Sequence, residues 1–134
     1  MTGGVGAWEV VYFDQGAFYA YTPTWTGFTV DPLGPWLFKR GIGYVDLSFY
    51  NGTPGTGTGT TVTFTLPLGL TAQSNQRYLM PFYTNNATSA TVPGIIIVAT
   101  NANAVSAYTT VAAGAWTGSN NRGIFGAWRI NTNE

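Results

Sequence analysis

The sequence predicts an all-β fold, a single antiparallel β-sandwich or jelly roll of about eight short strands. Three observations lead there. From Thr61 to Leu66 the chain alternates: Val62, Phe64 and Leu66 point one way, Thr61, Thr63 and Thr65 the other. Such period-two alternation of β-branched and aromatic residues is what a half-buried strand requires. No window reads as a helix, because Gly, Pro, Thr and Asn interrupt every stretch of about ten residues and good helix formers are scarce. Turn chemistry separates the apolar runs, most clearly at Asn51-Gly-Thr-Pro-Gly55, where Asn and Gly accept positive φ and Pro fixes its own.

In chain order, the first two strands are expected at Ala7–Phe13 and Gly16–Tyr21, joined by the short connection Asp14-Gln-Gly16. A long run, Leu37–Tyr50, follows, with a bend expected at Gly41 or Gly43, since glycine inside a strand marks a bulge. The Gly/Thr segment from Gly52 to Thr61 leads into Thr60–Leu66, and further strands are expected at Tyr78–Tyr83 and Ile95–Thr100. Ala102–Ala113 is rich in alanine but carries Asn103, Ser106, Thr109, Thr110 and Val111, so Asn103–Thr110 reads as a strand. Arg122–Ile130 is the last.

At 134 residues there is room for one domain, residues 1–134, with a core that needs no covalent staple. Cysteine is absent, so neither a disulfide nor a thiolate metal site can form. Only 7% of residues are charged, against about 25% in ordinary soluble domains. Five basic and five acidic residues cancel. A nucleic-acid partner is not expected: phosphate binding needs a clustered positive field, and Lys39 and Arg40 are adjacent but project to opposite faces of a strand. A membrane span is not expected either, since the longest aliphatic run, Ile95–Ala99, is far short of about 20 residues. The N-terminus lacks the basic start and apolar run of a secretory signal, so the expectation is synthesis in a cytoplasm and release by another route, such as lysis.

Catalysis finds little support. Histidine and cysteine are absent, removing the commonest general base and a common nucleophile. The candidate carboxylates are Glu9, Asp14, Asp31, Asp46 and Glu134, and each reads more simply as a turn former, an ion-pair partner or a terminus. No metal-loop spacing occurs, so no metal and no cofactor are expected. Two sequons, Asn51-Gly-Thr53 and Asn86-Ala-Thr88, are chance matches in a chain rich in Asn and Thr.

Sugar recognition has more behind it. Five Trp, eight Tyr and ten Asn supply rings and amides. Trp25, Trp36 and Trp116 lie in or beside loops where a ring can be exposed, whereas Trp8 and Trp128 sit in strand-like runs and belong to a core. The loop Ala115–Arg122 gathers Trp116, Asn120, Asn121 and Arg122, and with Trp25 and Trp36 these are the candidate ligand contacts. Self-association is the stronger signal from composition. A strand-rich surface with few charges either aggregates or pairs specifically with copies of itself.

An ordered set of segments then points to a family. Tyr21-Thr-Pro-Thr-Trp-Thr-Gly27, Phe38–Val45 with its Arg40-Gly-Ile-Gly-Tyr-Val45, the Gly/Thr loop Gly55–Thr61, and Phe64-Thr-Leu-Pro67 follow one another. Together they resemble the C-terminal head domains of bacteriophage minor tail and tail-fibre proteins. The resemblance covers about the first half of the chain, with Gly126-Ala-Trp128-Arg-Ile130 similar in character near the end. It implies a non-enzymatic virion protein that assembles as a homotrimer, contacts other virion proteins and presents loops to a host-surface glycan. Such heads usually follow a shaft, while here about twenty residues precede the first motif. The alternative expectation is therefore a capsid decoration (cement) protein. A small carbohydrate-binding lectin is a third reading.

Overall fold

The computed structural model describes residues 17–50, 52–117 and 121–133. The strand expected at Ala7–Phe13 lies outside them. Among the described residues the fold is all-β, as expected: strands in three antiparallel sheets and one 3-10 turn at Pro67–Gly69. The strands are β1 (Tyr19–Tyr21), β2 (Trp25–Thr26), β3 (Trp36–Gly41), β4 (Tyr44–Ser48), β5 (Val62–Thr65), β6 (Gln76–Met80), β7 (Phe82–Asn85), β8 (Thr88–Ser89), β9 (Gly94–Val98), β10 (Ala104–Tyr108), β11 (Gly123–Phe125) and β12 (Ala127–Asn131).

One sheet has the order β1-β3-β4-β12 and the other β2-β5-β10-β9-β6, with a smaller sheet β11-β7-β8 beside them. The two large sheets face each other across an apolar core. Phe38, Val45, Leu47, Trp128 and Ile130 come from the first, and Val62, Phe64, Met80, Ile96, Val98 and Val105 from the second. The alternation at Thr61–Leu66 is realised as expected: Val62, Phe64 and Leu66 are buried, and Thr63 and Thr65 are half-buried on the outer face. Ala104–Tyr108 is a strand, paired with both β5 and β9.

Three of the expected strands divide, each for a local reason. Leu37–Tyr50 does not merely bend. It reverses at Ile42-Gly43, where Gly43 adopts φ +76°, and β3 and β4 pair in register from Leu37↔Ser48 to Gly41↔Tyr44. Tyr78–Tyr83 breaks at Pro81, which has no N–H for a ladder, so β6 stays in the five-stranded sheet and β7 joins the small one. Arg122–Ile130 breaks at Gly126, where a Cβ would stand 2.4 Å from the Trp128 ring. β11 thereby pairs with β7 while β12 pairs with β4.

The residues of the sequence motifs meet in one aromatic cluster. Trp25 lies 5.3 Å from Trp36 and 5.6 Å from Phe64, centroid to centroid, and Phe49 lies 5.0 Å from both Trp36 and Phe64. Trp128 joins at 5.8 Å from Phe49. Edge-to-face and tilted geometries at these distances are the favoured ones for ring quadrupoles.

Where β6 and β12 approach at the side of the sandwich, the sheets are joined by a side chain. Gln76 donates through Nε2 to the Asn131 carbonyl at 2.8 Å, and the Asn131 N–H donates back to Oε1 at 2.8 Å. The Tyr78 hydroxyl donates to the same Oε1 at 2.7 Å. The carboxamide thus reproduces one rung of a β-ladder. Gln76→Ala is expected to lower stability by about 2–3 kcal/mol, because three part-buried hydrogen bonds between the sheets and to Tyr78 are lost. Gln76→Glu is expected to be more harmful at pH 7 than near pH ~4, where a protonated acid again donates to the carbonyl. Urea unfolding at the two pH values measures both.

Tyr21 bridges the sheets on the other side: its hydroxyl donates to the Thr65 carbonyl at 3.2 Å, and its ring packs edge-on against Phe38 at 5.6 Å. Burial pushes the Tyr21 phenol well above its ordinary range and raises that of Tyr78 as well. A phenol that resists ionisation when folded but ionises near pH ~10 when unfolded contributes stability below that pH, and the contribution is lost as pH rises. The urea midpoint is therefore expected to fall between pH 8 and pH ~11, with a shallower fall in Tyr21→Phe.

Candidate functional site

The three tryptophans expected at the surface are inside the protein. Trp25 is 8% exposed, Trp36 4% and Trp116 1%. Trp25 and Trp36 belong to the aromatic cluster above, because the segments that read as loops carry β2 and the start of β3. Trp116 follows β10, and its indole N–H donates to the Ala107 carbonyl at 2.8 Å while Tyr83 packs edge-on at 5.6 Å. None of the three rings offers a platform to a ligand. Arg122 is fully buried, and so is not a loop contact either. Asn121 is exposed, and its carbonyl accepts the Ala87 N–H at 2.8 Å. Asn120 lies outside the described residues.

What Arg122 does is structural. Its guanidinium donates through Nη1 to the Gly27 carbonyl at 3.1 Å and to the Gly59 carbonyl, and it stands 5.8 Å from the centre of the Trp116 ring. Burial lowers its pKa from the ordinary guanidinium value. Its backbone exchanges two hydrogen bonds with Gly55, at 2.8 and 2.9 Å. The side chain therefore ties together the Gly27 turn, the Gly/Thr segment and the strand leading into β11.

The Gly/Thr segment is likewise packed, not a free loop. Gly55 and Gly57 are buried, and Thr53, Thr58 and Thr60 are exposed. A Cβ on Gly55 would lie 2.2 Å from the Val30 carbonyl oxygen, and one on Gly57 would lie 2.3 Å from that of Gly27. The alternation is that of an extended chain whose inner face has no side chains, so that the 27–33 segment can approach backbone to backbone. Thr56 exchanges hydrogen bonds with Val30, and Thr53 with Leu33, at 2.7–3.1 Å.

The polar grouping of the described residues lies on the outer face of the four-stranded sheet. Strand alternation turns Phe38, Leu47 and Trp128 inward, so their neighbours Lys39, Asp46 and Arg129 face outward. The register sets these three side by side as Lys39↔Asp46↔Arg129. Arg129 holds Asp46 through two parallel bonds, Nε to Oδ1 at 2.7 Å and Nη2 to Oδ2 at 3.0 Å. Its guanidinium also covers the Tyr44 ring, 4.0 Å from the centroid. The Tyr44 ring in turn occupies the space over Gly41, where a Cβ would meet it at 2.0 Å. The hydrogen bond to Asp46 raises the Arg129 pKa. At the far end of the row, Lys39 Nζ sits 5.4 Å from the Phe18 ring centre. Asp46 thus forms an ion pair, as its place beside basic residues suggested, and it does so with Arg129 of β12, 83 residues away. Phe18, Asp46, Ala127 and Arg129, with Leu47 and Trp128, bound a groove of about 320 Å³.

Among the described residues no group of three or more His, Cys, Asp or Glu side chains is placed to hold a metal ion, and no helix is long and apolar enough to cross a membrane. Comparison of the chain with known protein families and with curated proteins found no match.

Proposed function

We propose that this chain is a non-catalytic structural subunit of a bacteriophage virion, of the minor tail or fibre-head kind. It self-associates as a homotrimer, docks on other virion proteins and turns one face to the host surface. The observation that carries the reading is the character of its surface. Large apolar side chains, Val30, Leu33, Ile42, Leu68 and Phe82 among them, are exposed on a chain of which only 7% is charged. Scattered singly, such side chains are ordinary. With so few charges to keep copies apart, however, a closed symmetric assembly is the arrangement that covers them without open-ended aggregation. The ordered segments of the tail-fibre resemblance support the particular kind of virion protein. Host attachment cannot use the buried tryptophans in this fold, so it falls to an outer face of the sandwich.

Sedimentation equilibrium of the purified protein tests the assembly, with a mass three times the 14.3 kDa of the chain expected. A monomer at every micromolar concentration tested would overturn it. Labelling intact particles with an antibody against this chain tests the location. Label confined to the tail end is the expected result. Label over the head would replace the reading by the decoration protein, and particles without label would end the virion premise.

A further inference from the structure

The groove beside the Phe18–Lys39–Asp46–Arg129 row has the parts of a small binding site and no structural task that requires all of them. One boundary is an aromatic ring, Phe18, which is 45% exposed. Another is the Asp46–Arg129 pair, whose geometry is held in three ways: by its two parallel hydrogen bonds, by the stacking of Arg129 on Tyr44, and by mounting on paired strands instead of loops. Ala127, a small exposed residue, leaves the space between them open. Polar groups held on rigid elements lose little freedom when a ligand arrives.

The chemistry narrows the ligand. Arg129 is 58% exposed and carries five N–H donors, of which two go to Asp46, so three remain for a ligand. The Asp46 carboxylate has acceptor sites beyond the two that Arg129 occupies. An aromatic ring complements the apolar C–H face of a pyranose, and a carboxylate beside a guanidinium complements neighbouring hydroxyls. With Lys39 in the same row the local balance is two cations to one anion, which favours a ligand bearing negative charge. The volume, about 320 Å³, lies at the lower end of the range for small-molecule sites.

We propose that this groove binds an acidic sugar, with the ring of the sugar against Phe18, its carboxylate on Arg129 and its hydroxyls on Asp46. The proposal deepens the host-attachment part of the reading above and rests on that part alone; neither the trimer nor the place in the virion enters it. Asp46, Ala127 and Arg129 stand on β4 and β12 and Phe18 directly precedes β1, so all four come from one copy of the chain.

The test is an amide NMR titration of the full chain with D-glucuronate, D-galacturonate and N-acetylneuraminate, with D-glucose and sodium acetate as controls. The expected result is saturable shifts of the Asp46, Ala127 and Arg129 amides with at least one acidic sugar, at Kd of order 1 mM, and binding about ten-fold weaker for glucose and for acetate. Phe18→Ala and Arg129→Gln are each expected to weaken binding about ten-fold while the rest of the amide spectrum keeps its dispersion. Shifts with none of the sugars would overturn the proposal. So would an equal response to acetate, which would mean an anion contact only, or binding that survives both substitutions. Because particle labelling does not depend on this groove, failure here leaves the virion reading standing, and failure there leaves the sugar site standing.

Discussion

Arg122→Met is expected to destabilise the protein by about 2–4 kcal/mol, as measured by urea unfolding. Methionine fills much of the same space, so the loss is not chiefly one of volume. What disappears is the donor that satisfies the Gly27 and Gly59 carbonyls in a fully buried position. Each is a hydrogen bond to a charged group, worth about 1.5–3 kcal/mol, and the half-buried Gly27 and Gly59 carbonyls lose it. Arg122→Lys is expected to recover only part, because an ammonium on a single stem does not reproduce the flat fork of a guanidinium. The consequence reaches beyond stability. The Gly27 turn and the Gly/Thr segment are held against each other by this side chain, and Val30 and Leu33, two of the exposed apolar residues, hang from that junction. If those residues contribute to the assembly, Arg122→Lys weakens it at protein concentrations where the fold persists, and sedimentation of the variant would reveal this.

Gly57→Ala is expected to cost about 3 kcal/mol, at the upper end for overpacking. The new Cβ would stand 2.3 Å from the Gly27 carbonyl oxygen and 2.7 Å from the Phe28 Cα, both of them backbone atoms that no rotamer change can move aside. Thr58→Ala, one position on and exposed, serves as the internal comparison and is expected to fall within about 0.5 kcal/mol of the parent. A steep alternation between glycine and threonine positions, read by thermal unfolding across Gly55 to Gly59, is the signature of a chain packed through its glycine face. Equal tolerance at both kinds of position would mean that the segment is a free loop after all.

The same segment shows where the amino-acid order could be read and where it could not. Alternation of glycine with threonine is visible from Gly55 to Thr60, yet by composition alone the segment reads as a Gly/Thr loop. Its inner face has no side chains, and so it carries no hydrophobic signal to announce that something packs there. The tryptophans failed for a related reason. Trp25 and Trp36 are flanked by Thr, Pro and Gly, which mark turns, yet a residue beside a turn can still end in the core when a two-residue strand such as β2 carries it there. Gly41 or Gly43 is expected as a bend, whereas Pro81 and Gly126 fall inside the expected strands Tyr78–Tyr83 and Arg122–Ile130. Only the pairing partners of the flanking segments decided whether each became a bend, a reversal or a change of sheet.

The groove on the four-stranded sheet is a third case. Lys39, Asp46 and Arg129 each occupy outward positions between inward-facing apolar residues, and that much follows from the period of a strand. Their assembly into one row depends on β12 lying beside β4, a contact spanning 83 residues.

By itself, then, the sequence determined the class of fold, the positions of most strands and the inward or outward direction of side chains in alternating runs such as Thr61–Leu66. These are local properties, set by β-branched and aromatic periodicity and by the few residues that tolerate turns. The tertiary structure alone decided which strand stands beside which, and hence that Arg122 is a buried pin, that the tryptophans are core, and that the charged row exists. Pairing energy depends on edges and faces brought together from distant parts of the chain, and no local pattern encodes that choice uniquely.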